Sequence, residues 1–249
     1  SFNGNMESSE PSSRPSLDRW ILSQTSATAE RVSFLFEQWD FHKAGREIER
    51  FVVDDISNWY VRRSRRRLWD EAESDDKAAC HHTLRDVLGV ACKLMAPISP
   101  FMVDKIHRDL FQTSVHLADW PCGSDLIDSK LPQRDPELEL RMELVRNLAE
   151  AGRRIRVESS RRQRLPCKKG WIVGGIGVGD LTGILSEELN VGLLEEENDL
   201  ERFQKVQLKP NRRNLGRKCT TDLPIVLGEL EAVDSESFLL EIEAGIAYL

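Results

Sequence analysis

A long helical pattern between residues 40 and 70 constrains the fold of this chain more than any other feature. Apolar residues recur there at steps of three and four, which places them on one side of a helix: Phe41, Ala44, Ile48, Phe51, Val52, Ile56 and Trp59. The stretch contains no proline, and its one glycine, Gly45, lies near the start. A helix with so long an apolar side must pack against other elements, so the pattern predicts a helical core.

The same helix ends in a dense group of cations, which we call the arginine cluster: Arg62, Arg63, Arg65, Arg66 and Arg67. Successive helical residues diverge by about 100°, so these side chains surround the helix end instead of forming one stripe. A guanidinium is a planar, permanent cation that binds phosphates and stacks on bases. Because the aromatic residues Trp59 and Tyr60 precede the cluster, the pattern favours contact with an RNA backbone.

The arginine cluster also allows a purely structural interpretation. Cations near the C-terminus of a helix are stabilised by the helix dipole. The pairs Arg66–Asp70 and Arg67–Glu71 have the i,i+4 spacing of surface ion pairs. For the aromatic residues, Trp59 continues the apolar side and is expected to pack in the core. Tyr60 lies one step further round the helix and is the better candidate for stacking on a base.

Further amphipathic segments extend the helical pattern on both sides. One begins near Ser16 and runs to about Gln38, and another follows the Ser-Asp-Asp cap at 74–76 and stops before Pro97. A short helix then begins at the Ser-Pro pair at 99–100. Four helices joined by short loops form a bundle.

The pattern changes after the bundle. A fifth helix is expected to begin at the Asp-Pro pair at 135–136 and to end in a second basic group that includes Arg153 and Arg154. Beyond it, short strands alternate with helical segments, which indicates a small α/β module. The strands are expected at 171–173, 205–208 and 238–242, and the helices at 181–189 and 222–230.

The chain is therefore predicted to be mainly α, a helical bundle followed by a small C-terminal α/β module. The predicted divisions are a linker at 1–15, the helical bundle at 16–122, a loop and connecting helix at 123–166, and the α/β module at 167–249.

Charge and cysteine usage exclude several classes of protein. The net charge is −7, so any nucleic-acid surface is a local patch on an acidic body. The five cysteines are scattered without a C-x-x-C pair, which argues against a disulfide framework or a zinc site and is typical of a reducing, cytoplasmic setting. The side chains of the Cys-His-His group at 80–82 point in different directions from a helix, so no metal site is predicted there. No segment approaches the ~18 apolar residues of a membrane span.

No catalytic motif occurs in the sequence. The glycine-rich run at 174–179 invites comparison with a dinucleotide-binding loop, but the G-x-G-x-x-G spacing fails from either starting glycine, and a turn is the better interpretation. P-loop, H-E-x-x-H and G-x-S-x-G sequences are also missing. We therefore predict no catalytic residue in this chain.

Several motifs, in the same order along the chain, resemble those of the isoleucyl-tRNA synthetases. L-D-R-W-I-L-S at 17–23 is similar to the start of their anticodon-binding domain. D-F-H-K-A at 40–44 and S-N-W-Y-V-R-R-S-R-R-R-L-W at 57–69 are similar to their most diagnostic run. A-P-I-S-P-F at 96–101 and V-H-L-A-D-W-P at 115–121 resemble two later motifs of the family.

The resemblance extends to about residue 215. I-L-S-E-E-L-N-V at 184–191 and L-K-P-N at 208–211 look like the C-terminal extension of the archaeal and eukaryotic type. Q-R-L-P at 163–166 departs from the R-Q-P-L-like turn of the family, and the sequence after residue 216 matches only loosely.

The resemblance implies a role in translation. It identifies the chain as the tRNA-binding part of a class Ia ligase that attaches isoleucine to its tRNA with ATP and Mg²⁺. The H-I-G-H and K-M-S-K-S signatures of adenylation do not occur, so the chain looks like a fragment whose catalytic and editing domains, with those cofactors, lie elsewhere in a longer polypeptide. The implied partners are isoleucine-specific tRNA and the catalytic domain of the same polypeptide, with no membrane.

The resemblance places the anticodon stem-loop against the bundle. The predicted RNA-binding residues are Lys43, Trp59, Tyr60, Arg62, Arg63, Arg65, Arg66, Arg67, Arg153 and Arg154, with Lys209, Arg212 and Arg213 as a weaker second patch. The alternative is a protein-interaction module of a multi-protein assembly, because acidic helical bundles often dock partners. The module at 167–249 is the least family-like part and is where such partners are expected.

Overall fold

The computed structural model describes residues 14–72, 74–121, 134–174 and 177–198. Its elements in chain order are α1 (Ser16–Glu37), α2 (Phe41–Arg50), a π-helical segment (Phe51–Val61), α3 (Arg62–Trp69), α4 (Asp75–Met95), α5 (Pro100–Phe111), a 3₁₀ turn (Val115–Leu117), α6 (Pro136–Glu158), β1 (Cys167–Val173), a second 3₁₀ turn (Gly179–Leu181), α7 (Thr182–Leu189) and β2 (Val191–Glu197). The predicted mainly α fold with a small α/β module is confirmed. The strands and helix expected beyond residue 198 lie outside the described residues, as does most of the predicted linker.

The chain divides into two compact units. The first contains residues 1–168 and 177–193, and the second contains 169–176 and 194–249. The helices named above all belong to the first unit, so α7 groups with the bundle although the sequence assigns it to the C-terminal module. The predicted domain limits themselves stay predictions.

The two strands form one small parallel sheet. Parallel strands require a crossover connection, and α7 lies in the connection between β1 and β2. In the second unit, the backbone N–H of Gly174 donates to the carbonyl oxygen of Glu197 at 3.1 Å. Lys169 and Glu195 add an ion pair of 2.6 Å there.

Helix α1 is the centre of the bundle. It packs against α2, the π-helical segment, α4 and α6. Because neighbours cover it on several sides, both its apolar residues, such as Trp20 and Ile21, and its small polar residues are buried. The hydroxyl groups of Thr25 and Thr28 donate to carbonyl oxygens four residues earlier, at 2.6 and 2.8 Å, so their burial leaves no unpaired donor.

Side-chain caps fix the starts of three helices. Asp40, Ser74 and Asp135 each accept a hydrogen bond from the backbone N–H three residues later, which satisfies one of the free donors of a first helical turn. The caps predicted at residues 74 and 135 are therefore confirmed. Pro100 occupies the first turn of α5, as the sequence predicts.

The long helix predicted between residues 40 and 70 is present, but its middle third is π-helical. The predicted apolar side holds for Ala44, Ile48 and Phe51, which are buried. The wider turn of the π-helical segment then brings residues 55–56 and 59–60 inward as pairs, which a 3.6-residue period does not predict. Phe41 is half-exposed because it begins α2 beside Trp39, outside the bundle core.

Gly152 lets α6 approach α7 closely. A Cβ atom on Gly152 would lie 2.5 Å from Leu189 Cδ2, whereas one on Gly183 of α7 would meet nothing within 4 Å. We expect Gly152→Ala to lower the free energy of unfolding by about 1 kcal/mol. The clash with Leu189 costs about 1–3 kcal/mol, which exceeds the stability gained from the higher helix propensity of alanine. Gly183→Ala should leave the free energy of unfolding unchanged or raise it by up to about 1 kcal/mol. Urea unfolding of both variants checks this, and equal effects would contradict it.

Candidate nucleic-acid interface

A cleft of about 1230 Å³ lies between α3 and α7. The whole arginine cluster lines it, as do Trp69 at the end of α3 and the residues that lead into α1. Glu187 and Glu188 of α7 face the arginines from the opposite wall. The residues that the sequence singles out on α3 thus lie on one concave surface that has both cations and anions.

Glu188 is the anion at the centre of this surface. Only 5% of its side chain is exposed, and its carboxylate accepts hydrogen bonds from Arg62, Arg63 and Arg153 at 2.9, 2.9 and 3.1 Å. Arg63 also pairs with Glu187 at 2.5 Å. Burial alone would raise the pKa of Glu188, but the hydrogen bonds and charges of Arg62 and Arg63 outweigh burial and hold that pKa below its usual value. Three predicted RNA-binding arginines are therefore occupied by one carboxylate.

Arg67 points into the bundle. Its guanidinium makes a two-pronged contact with Asp18 at 2.7 and 2.8 Å and also binds Asp76. Asp18 is completely buried, and it also accepts a hydrogen bond from the Tyr60 hydroxyl at 2.9 Å. The predicted i,i+4 pair of Arg67 with Glu71 is replaced by these more distant partners. Arg67 thus joins α3 to α1 and α4.

Tyr60 has no exposed surface. Its ring is enclosed by the bundle, and its hydroxyl lies 3.5 Å from Cys80 Sγ as well as beside Asp18. Burial, followed by the nearby Asp18 charge, raises the pKa of Tyr60 above its ordinary value. Because the ring presents no face to an incoming base, the structure corrects the choice of Tyr60 as the stacking residue.

Trp59 packs in the core, as the structural interpretation predicts. Its side chain is 5% exposed, and the guanidinium carbons of Arg62, Arg63 and Arg146 lie 5.4–5.8 Å from the ring centre. These contacts leave the indole no room for a base. Trp59 is therefore also corrected, from an RNA-binding residue to a core residue that orders the arginines around it.

Like Arg62, the arginine-cluster residues Arg65 and Arg66 are exposed. Neither forms an ion pair with any other residue that the structure describes, and the predicted pair Arg66–Asp70 does not form. The Arg65 guanidinium lies 5.3 Å from the ring centre of Trp69, whose side chain is 74% exposed. Trp69 is not among the RNA-binding residues predicted from the sequence. The one feature of the sequence that could have indicated it is its position at the end of the basic helix.

The remaining predicted residues lie outside this cleft. Lys43 is exposed and forms an ion pair with Asp40 at 2.6 Å, at the cap of α2. Arg154 is exposed and lies 3.7 Å from Glu150 on α6. The weaker patch of Lys209, Arg212 and Arg213 is outside the described residues. The structure therefore brings the arginine cluster and Arg153 together and leaves Lys43 and Arg154 apart.

Neither a cluster of metal-binding side chains nor a membrane-spanning helix occurs in the part of the chain that the structure describes. No group of three or more His, Cys, Asp or Glu side chains there could hold a metal ion. No helix there has the length and apolar character needed to cross a bilayer.

Comparison with known proteins gives a consistent family. A model of the anticodon-binding domain of tRNA ligase matches residues 18–170. The isoleucine–tRNA ligase of Thermobifida fusca is 38% identical over 249 residues, which cover 95% of this chain and 22% of that protein. The isoleucine–tRNA ligase of Streptomyces coelicolor is 37% identical over 248 residues, with the same coverage. That of Methanothermobacter thermautotrophicus is 31% identical over 232 residues, which cover 88% of this chain and 22% of that protein.

The family assignment rests on the first of these matches, which covers more than half of the chain and includes α1 to α6. The chain spans about a fifth of the length of the curated relatives it matches. The chain belongs to the family of anticodon-binding domains of tRNA ligases.

Proposed function

We propose that this chain binds the anticodon stem-loop of an isoleucine tRNA through the α3–α7 cleft. The observation that carries this proposal is the position of the arginine cluster, which lies inside the region matched to anticodon-binding domains and lines an open concave surface. Proteins that hold single-stranded nucleic acid combine cations for the backbone with aromatic side chains for the bases, and Arg65, Arg66 and the exposed Trp69 offer that combination here.

The cations of the cleft differ in how readily they can contact phosphate. Arg65 and Arg66 are exposed and lack ion pairs among the described residues, so they can bind phosphate without first losing a partner. Arg62 is about half-exposed but already pairs with Glu188. Arg63 and Arg67 are largely buried in ion pairs, so they position the cluster instead.

The relatives named above support a proposal for the longer protein. We propose that it is an isoleucine–tRNA ligase of the cytoplasm, that its catalytic domain holds ATP and Mg²⁺, and that this chain presents the tRNA to that domain. We also propose that it is of the archaeal and eukaryotic type. The sequence at 184–191, most of which forms α7, supports this type.

Charge reversal at the exposed arginines tests the RNA site. We expect Arg65→Glu combined with Arg66→Glu to weaken binding of isoleucine tRNA about tenfold or more, because charge-assisted contacts to two phosphates are replaced by repulsion. The slope of log affinity against log salt should fall by about 0.7–0.9 for each lost contact. Arg154→Glu is a control for charge reversal, since Arg154 is also exposed but lies off the cleft.

Titration with cognate and non-cognate tRNA at two salt concentrations completes this test. Tighter binding of the isoleucine tRNA that weakens with salt is the expected result. Equal binding of both tRNAs would reduce the cleft to an unspecific electrostatic surface. If the double variant bound like the unmodified chain, the arginine cluster would have a structural role only.

Protein docking is the second candidate function, and an exposed apolar group favours it. Phe101 at the start of α5 and Leu117 in the 3₁₀ turn are both largely exposed, and His116 Nε2 lies 3.3 Å from the Pro100 carbonyl oxygen, which holds the turn beside α5. Such apolar groups often mark protein contacts. A protein partner retained at high salt, with no tRNA retained at low salt, would support docking over RNA binding. The predicted role of the C-terminal module in docking stays a prediction.

A further inference from the structure

We propose that Trp69, with Arg65 beside it, is the platform on which an unpaired nucleobase of the RNA stacks in the α3–α7 cleft. This inference rests on the proposed RNA-binding function and adds to it the residue that contacts a base. It replaces the two aromatic residues that the sequence pattern favours, since both are buried.

The exposure of Trp69 is the first observation. Tryptophan carries a large apolar surface that is normally buried to a high degree. Trp69 is instead 74% exposed, at the last residue of α3, and its side chain lines the cleft together with the arginine cluster. A large aromatic face that meets solvent beside Arg65 and Arg66, the two arginines of the cleft without an ion pair among the described residues, is suited to a ligand that has both a flat ring and a negative charge. A nucleotide has both.

The contact with Arg65 is the second observation. The Arg65 guanidinium lies 5.3 Å from the centre of the Trp69 ring, within the range of a cation–π interaction. Residues 65 and 69 are four apart, so both point to the same side of α3. The contact restrains the indole before RNA arrives, and the guanidinium can itself stack on a base or bind the adjoining phosphate.

Trp39 shows what Trp69 has in addition to exposure. Trp39 is 80% exposed, but its neighbour is the ring of Phe41 at 5.8 Å, and no cation–ring contact with it occurs among the described residues. It also does not line the α3–α7 cleft. Exposure alone therefore does not make a stacking site, and Trp39 supplies a matched control for Trp69.

The test uses this chain, a synthetic anticodon stem-loop of isoleucine tRNA, and variants at both tryptophans. Trp69→Ala should weaken binding by about 5- to 150-fold, the range for loss of one base–aromatic stack. Trp69→Phe should retain affinity within about threefold, because phenylalanine also stacks. The salt slope of Trp69→Phe should be unchanged, since no phosphate contact is removed. Trp39→Ala should bind like the unmodified chain.

Fluorescence gives a second readout. Stacking should quench the emission of Trp69 when RNA binds, so the quenching seen in the unmodified chain should be largely lost in Trp69→Phe and kept in Trp39→Ala. Urea unfolding of Trp69→Ala should match that of the unmodified chain, because an exposed residue contributes little to the core.

The possible results separate this inference from the proposed function. If charge reversal at Arg65 and Arg66 removed salt-sensitive binding while Trp69→Ala kept the original affinity, the stacking platform would be overturned and RNA binding would stand. If the unmodified chain bound no RNA at either salt concentration, the proposed function and this inference would both be overturned.

Discussion

Asp18→Ala is expected to lower the free energy of unfolding by about 3–5 kcal/mol, the range for removing one partner of a buried ion pair. Asp18 is completely buried and accepts hydrogen bonds from Tyr60 and from both terminal nitrogens of Arg67. Its removal leaves a largely buried guanidinium and a buried hydroxyl with fewer acceptors. Because a typical domain is stable by only about 5–15 kcal/mol, this variant should lose much of its stability.

Two further variants show how much of this loss of stability comes from other contacts of the same network. Asp76→Ala removes the exposed partner of Arg67 and should cost no more than about 1 kcal/mol, as for surface ion pairs. Tyr60→Phe removes one hydrogen bond to Asp18 and should cost about 1 kcal/mol. Urea unfolding monitored by circular dichroism measures all three variants. If the Asp18 and Asp76 variants lost the same free energy of unfolding, the buried contact of Arg67 would contribute no more to stability than the exposed one.

The Asp18 network also bears on how the interface is built. It ties the end of α3 to α1 and α4, so it fixes the direction in which the exposed arginines point. Arg67 then acts as a positioning residue: its loss should reduce RNA affinity through a misplaced α3, and stability should fall in parallel. A substitution at Arg66 should reduce affinity and leave stability unchanged. This contrast distinguishes the two kinds of arginine.

The sequence predicted the local features of this molecule well. Periodic apolar residues predicted the bundle, and cap residues at 74 and 135 predicted where helices begin. The arginine cluster was identified as a group because its members adjoin in the chain. Each of these features depends on residues within a few positions of one another, which is what spacing rules describe.

The features that the sequence did not predict depend on distant residues or on a change of helical period. Spacing pairs Arg67 with Glu71, but its partner Asp18 is 49 positions away. Glu188, the partner of Arg63, is 125 positions away. A period of 3.6 residues places Tyr60 off the apolar side, whereas the π-helical segment turns it inward with Trp59. The exposure of Trp69 could not be inferred either, because whether a tryptophan is buried depends on which distant residues pack against it.

Glu188→Gln is expected to have opposite effects on RNA affinity and on stability. Arg62, Arg63 and Arg153 converge on the Glu188 carboxylate, as guanidinium groups converge on a phosphate. An RNA phosphate that binds Arg62, the most exposed of the three, must therefore compete with this carboxylate. We expect the variant to bind isoleucine tRNA about tenfold more tightly, since a charge-assisted contact is worth about 1.5–3 kcal/mol. Its free energy of unfolding at pH 7 should fall by about 3–5 kcal/mol.

The pH dependence gives an independent check of the same contact. Because the folded-state pKa of Glu188 is held below its ordinary value of 4.5, the carboxylate contributes stability that is fully present above that value. This contribution is lost as the pH falls through the lowered folded-state pKa. The difference in unfolding free energy between the unmodified chain and Glu188→Gln should therefore shrink as the pH falls below 4.5.

Glu150→Gln controls for net charge in this experiment. It removes one negative charge from an exposed pair with Arg154, so a general electrostatic gain would appear in both variants. Glu187→Gln adds an intermediate case, since Glu187 is exposed and, among the residues that the structure describes, pairs with Arg63 alone. If affinity rises for the Glu188 variant and not for the Glu150 variant, the carboxylate occupies the donors that RNA uses. If tRNA affinity is unchanged in all three while stability falls in the Glu188 variant, the three arginines hold α7 in place and the phosphates bind elsewhere on α3.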